Sequence, residues 1–128
     1  MNPNIRINVH KKLNKIKNIY LVKPLDYFSF IYLMEVSYLI LTDSGGIQEE
    51  APSFKKPVLI LRNETERPEV KNFGGAILVG TNKNKIIQNV RKLLINNNLY
   101  KKMTNINNPY GDGKATDRII NYLTKNLK

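Results

Sequence analysis

The segment LILTDSGGIQEEAPS, residues 39–53, joins a short apolar run to an acidic one through Ser44-Gly45-Gly46. The apolar run reads as a strand and the acidic run as a helix. Where a parallel strand ends and a helix begins, open α/β sheets bind ligands. Two glycines let backbone come close to a ligand, and the first N–H groups of the helix favour an anion. The Ser44 hydroxyl adds a donor. That set suits a phosphate. An ordinary turn with a serine N-cap uses the same residues, and Gly-Gly alone leaves the two readings even. The run is neither a P-loop nor a G-x-G-x-x-G fingerprint.

Two carboxylates follow at once, Glu49 and Glu50. An acid in the first turns of a helix is favoured by the helix dipole with no ligand present. The functional alternative is that one of them accepts hydrogen bonds from sugar hydroxyls. Neighbouring helix positions point about 100° apart, so only one is expected to face the ligand. The charged run RNETERPE, residues 62–69, comes after the next apolar strand. Alternating charge usually marks a solvated loop. This loop also falls at a strand's carboxyl end, where Arg67 can reach a diphosphate.

The elements that position these groups alternate in type. Ile5, Val9, Leu13 and Ile16 give a near-helical stripe over residues 4–16. NIYLV, residues 18–22, is a short apolar run before Lys23-Pro24 and is expected to be a strand. Asp26 stands at an N-cap position before a very apolar helix over 27–36. Strands are expected at 38–42, 57–61 and 76–80, and a short helix from Gly45 that stops around Pro52. Amphipathic helices are expected at 82–96 and in the tail from Asp112 to Asn126, with a third, short one over 99–106. The strands are continuous apolar runs, as in a parallel sheet buried on both faces. The expected fold is α/β, a doubly wound parallel sheet in one domain, with the segment 27–41 as a buried helix leading into a buried strand.

Bulk composition narrows the function classes. The 128 residues hold no cysteine and one histidine, His10, which excludes a disulfide framework and a histidine or thiolate metal cluster. No cofactor and no metal are expected. The N-terminal residues lack a signal-peptide pattern, and the longest apolar stretch, Tyr27–Leu41, is interrupted by Glu35 and too short for a membrane span. A cytoplasmic location is expected, with no membrane partner. The formal charge of +11 invites a nucleic-acid reading. Asn, Ile and Lys together supply 49 of the 128 residues, a bias that A/T-rich codons produce by themselves. No aromatic–basic interleaving accompanies the charge, so no nucleic-acid partner is expected.

Three stretches, LTDSGGIQEEAPS, KPVLILRNETERPE and NPYGDGKA, resemble the non-hydrolysing UDP-N-acetylglucosamine 2-epimerases, in the same order and spacing. The resemblance covers essentially the whole chain. It implies a Rossmann-like sheet from the C-terminal half of a glycosyltransferase-B-like fold. It also implies that residues 1–128 are a partial C-terminal UDP-binding domain, with the N-terminal domain and the first strands absent. Ser44, Gly45 and Gly46 become the diphosphate turn, Glu50 the ribose carboxylate and Arg67 a substrate-contacting arginine. Leu25 and Phe30 become the uridine end of the site, although Phe30 among Phe28, Ile31 and Leu33 also reads as a core aromatic. The implied reaction interconverts UDP-N-acetylglucosamine and UDP-N-acetylmannosamine in polysaccharide biosynthesis. The family's acid–base carboxylates, its lysine and its histidine–arginine motif are not in this sequence, so the isolated chain is expected to be an inactive isomerase fragment. The alternatives are a non-catalytic UDP- or UDP-sugar-binding module and a subunit completed by a separately encoded N-terminal half. A glycosyltransferase C-terminal domain is disfavoured by TERPE. The expected partners are UDP or a UDP-N-acetylhexosamine, that N-terminal half, and a second copy of the chain.

Overall fold

Three apolar triplets with turn chemistry on either side form the sheet. In the computed structural model, which describes residues 3–127, strands β1 (Ile40–Thr42), β2 (Val58–Ile60) and β3 (Ala76–Leu78) lie in the order β1-β2-β3, all parallel. The register places Ile40, Val58 and Ala76 side by side, and likewise Thr42, Ile60 and Leu78. Because side chains alternate across a strand, one face carries these six residues and the other carries Leu41, Leu59 and Ile77.

Each face has its own cover. Val58, Ile60 and Ala76 pack with Ala51 and Val70, flanked by Ile40, Leu78 and Tyr110. This cover comes from helix α3 (Gly45–Glu50) with the 3-10 turn Ala51–Phe54 behind it, and from helix α4 (Pro68–Asn72). Leu59 packs on the opposite side with Val79, Leu93 and Met103. That side is covered by α5 (Lys83–Ile95) and α6 (Asn97–Thr104), whose starts are capped by the side chains of Asn82 and Asn96. Tyr38 and Tyr100 stack with ring centroids 4.2 Å apart, and their hydroxyls donate to the carbonyls of Leu93 and Tyr38 respectively. Helices on both faces of a parallel sheet make the fold α/β and doubly wound. Helix α7 (Ala115–Asn126) has no buried residue.

Residues 1–32 and 33–128 form two compact units. Within the first, α1 (Pro3–Leu13) has Val9 and Leu13 half-buried. The side chain of Ile5 lies outside the described residues. Helix α2 (Tyr27–Val36) starts where expected: Asp26 accepts hydrogen bonds from the Ser29 amide at 3.0 Å and the Ser29 hydroxyl at 2.6 Å.

Three expectations are corrected. Residues 18–22 are not a strand; NIYLV is irregular, and among the described residues the sheet contains the three strands above. A strand exists only through a neighbour's hydrogen bonds, and apolar character alone does not supply one. Helix α2 is not a buried helix: Met34 is its one buried residue, and Phe28 is 84% exposed. Nor is every strand buried on both faces. Only the central β2 is, while Leu41 on the edge strand β1 is 42% exposed.

Candidate functional site

The carboxyl ends of β1 and β2 are adjacent, and the two loops that leave them meet. At the end of β1, the Ser44 amide donates to Thr42 Oγ1 at 3.0 Å. Ser44 then takes the N-cap position of α3 with extended backbone, but its hydroxyl makes no capping bond and is not used for helix closure. Neither Gly45 nor Gly46 has a positive φ, so the turn conformation does not demand glycine. What the glycines provide is space. A Cβ on Gly45 would meet nothing within 4 Å, and one on Gly46 would meet only the Ser44 hydroxyl, at 4.0 Å.

Gln48 and Thr65 tie this turn to the loop after β2. Gln48 is almost fully buried. Its Nε2 donates to the Ser44 carbonyl at 3.2 Å, and its Oε1 accepts from the Thr65 hydroxyl at 2.6 Å. Thr65 Oγ1 accepts in turn from the Arg67 amide at 3.0 Å. The chemistry fixes every direction. A carbonyl only accepts, so the amide nitrogen must face Ser44. That leaves the amide oxygen for Thr65, whose hydroxyl must donate to it and keep a lone pair for Arg67. A buried amide without these partners costs about 1–3 kcal/mol.

Arg67 caps the site. Its Nε donates to Glu49 Oε1, and this ion pair raises the guanidinium pKa above its ordinary value. The two side chains remain 40% and 41% exposed. Glu50, one position on, takes a different surrounding. Its Oε2 is buried and accepts no hydrogen bond from the described residues. The Tyr110 hydroxyl is buried and unpartnered in the same way. Burial pushes that phenol up, and the Val70 backbone pulls the other way. Glu49, Arg67 and Glu69 are its charged neighbours.

The structure thus places Ser44, Gly45, Gly46 and Glu50 on α3 and its N-cap, and Arg67 on the loop tied to that helix, all within residues 33–128. Leu25 and Phe30 belong to residues 1–32. Leu25 is exposed on the irregular run before α2, and Phe30 is half-buried on the first turn of that helix. Sequence reasoning did not single out Gln48 or Thr65. Gln48 stands four residues after Ser44, a helical spacing that points it back at the turn. Thr65 is a neutral hydroxyl inside an alternating charge run, and only its contact partners reveal it.

A parallel α/β sheet with a glycine turn and an arginine loop at neighbouring carboxyl ends has the Rossmann-like layout. Among the described residues no helix is long and apolar enough to cross a membrane. The family model for UDP-N-acetylglucosamine 2-epimerase matches residues 1–124, and the chain belongs to that family. It is similar to the UDP-N-acetylglucosamine 2-epimerase of Yersinia pestis, 54% identical over 123 residues, which are 96% of this chain and 33% of that protein. Among solved structures, the UDP-GlcNAc 2-epimerase from Neisseria meningitidis bound to UDP-GlcNAc matches with a TM-score of 0.90 and 48% identity, over 98% of this chain and 34% of that one. The S. aureus MnaA–UDP co-structure matches with a TM-score of 0.89 at the same identity and coverage. The chain spans about a third of the length of the relatives it matches.

Proposed function

We propose that this chain is the UDP-binding portion of a UDP-N-acetylglucosamine 2-epimerase. In this reading Ser44, Gly45 and Gly46 hold the diphosphate, Glu50 accepts from the ribose hydroxyls and Arg67 contacts the substrate. Leu25 and Phe30 form the uridine end, as the family resemblance implies. The observation that carries the reading is the open face of the Ser44-Gly45-Gly46 turn, tied through the buried Gln48 and the half-buried Thr65 to the arginine loop. The ribose assignment of Glu50 rests on the family resemblance, and its Oε2 is an acceptor without a partner among the described residues. Epimerisation at C2 needs a general base within reach of the C2 proton, and this reading gives that task to residues outside the chain. The chain then binds the nucleotide in the cytoplasm and is inactive without the residues of an N-terminal half; a second reading has that half supplied by a separate subunit.

Saturation-transfer NMR on the purified chain tests the proposal. Signals of UDP should be saturated by the protein and those of free N-acetylglucosamine should not. Equal saturation of both, or of neither, contradicts it.

A further inference from the structure

We infer that Gln48 and Thr65 are positioning residues that make the glycine turn and the Arg67 loop move as one unit. The inference rests on the UDP-binding reading and adds two residues to it. Four groups lie in series: the Ser44 carbonyl, the Gln48 amide, the Thr65 hydroxyl and the Arg67 backbone amide, at 3.2, 2.6 and 3.0 Å. No link in the series is interchangeable. Gln48 is 1% exposed, so water does not replace either partner of its amide. The Thr65 hydroxyl gives its only proton to Gln48, so the Arg67 amide depends on its lone pair.

The series crosses from one strand end to the next. Ser44 follows β1, while Thr65 and Arg67 follow β2. The backbone ladder fixes the strands themselves, with Leu61 donating to the Thr42 carbonyl at 2.9 Å. Beyond that bond, side chains join the two segments, and the Gln48–Thr65 contact is the one that ends on backbone at both sides. At its far end Arg67 also binds Glu49, one residue after Gln48, so the Arg67 loop is held to α3 at both its backbone and its guanidinium. A ligand that touches the turn and Arg67 together then meets donors at fixed separation. Prior positioning of this kind reduces the ordering cost of binding.

Hydrogen exchange and UDP titration on Thr65→Val, Thr65→Ser and Gln48→Met, each on the full chain, test the inference. Valine keeps the shape of threonine and removes the hydroxyl; serine restores it. Losing one buried hydrogen bond should speed amide exchange in residues 44–48 and 65–67 by about fivefold in Thr65→Val. Thr65→Ser should exchange like the parent. Gln48→Met should reproduce the Thr65→Val pattern from the other end. UDP affinity should fall about fivefold or more in Thr65→Val and Gln48→Met and stay within about twofold in Thr65→Ser. Unchanged exchange at residues 44–48 in Thr65→Val overturns the inference whatever UDP does. Faster exchange with unchanged UDP affinity overturns the positioning role. Absence of UDP binding by the parent sinks the functional reading instead, and the exchange comparison still decides whether the two loops are coupled.

Discussion

Arg67 pairs through its Nε with Glu49, not with the adjacent Glu50. The two glutamates are consecutive in sequence and differ in role because a helix turns about 100° per residue. Glu49 points to the arginine loop. Glu50 carries a buried oxygen with no partner among the described residues. The arginine assigned to the substrate is therefore already held by a carboxylate before any ligand arrives.

This pair is half-exposed, and exposed ion pairs add little to stability. Glu49→Gln is expected to move the thermal midpoint by no more than about 2 °C. A scan by circular dichroism checks this. A drop of ten degrees would mean that the pair holds the fold together and not merely the orientation of Arg67.

The start of α7 supplies a pH test. Asp112 accepts from both terminal nitrogens of Arg118, at 2.9 and 2.6 Å, and from the Lys114 amide at 3.1 Å. The bond from Arg118 is the main reason its pKa falls from the ordinary 3.8 to about 2. A depressed carboxylate pKa adds stability that is complete above the ordinary value and is lost as pH falls towards the folded value. The difference in thermal midpoint between the parent and Arg118→Ala should thus be constant from pH 5 to 7 and shrink between about pH 4 and 2. A difference that grows on acidification would contradict the assignment.

Gly80 is one of four glycines with positive φ among the described residues, and the one whose Cβ position is also occupied at close range. Its φ is +61°, and a Cβ there would approach Asn63 Oδ1 to 2.5 Å. Gly80→Ala should cost about 1–2 kcal/mol from the left-handed backbone alone, and more if Asn63 resists displacement. Urea unfolding measures it. An unchanged midpoint would show that the turn after β3 relaxes freely.

Exposed apolar residues predict self-association. Ile119, Ile120, Tyr122 and Leu123 on α7 and Tyr27, Phe28 and Tyr32 on α2 are all exposed, and apolar groups clustered on a helix surface favour association. Size-exclusion chromatography with light scattering should give a mass above the 14.8 kDa of one chain. A sharp monomer peak at all concentrations would contradict this.

Local chemistry made much of this legible in the sequence. The Asp26 cap, the stop near Pro52 and the amphipathic stripe of α5 each depend on neighbours in the chain, and each element stands where those signals put it. NIYLV failed because a strand depends on a partner that periodicity does not reveal. The burial of α2 failed for a related reason: apolar composition states a need for cover without supplying it. At the site, the glycine turn and the arginine loop were legible as motifs. Gln48 and Thr65 were not, since their importance lies in contacts made across 17 residues of sequence.

Calorimetric titration of UDP into the purified chain and two variants tests whether the glycine turn and Glu50 bind the nucleotide. A hydrogen bond to a charged group contributes about 1.5–3 kcal/mol, so Glu50→Ala should weaken UDP binding by about tenfold or more, and Glu49→Ala by clearly less. Equal losses at the two glutamates, or no heat of binding for the parent chain, would contradict the account.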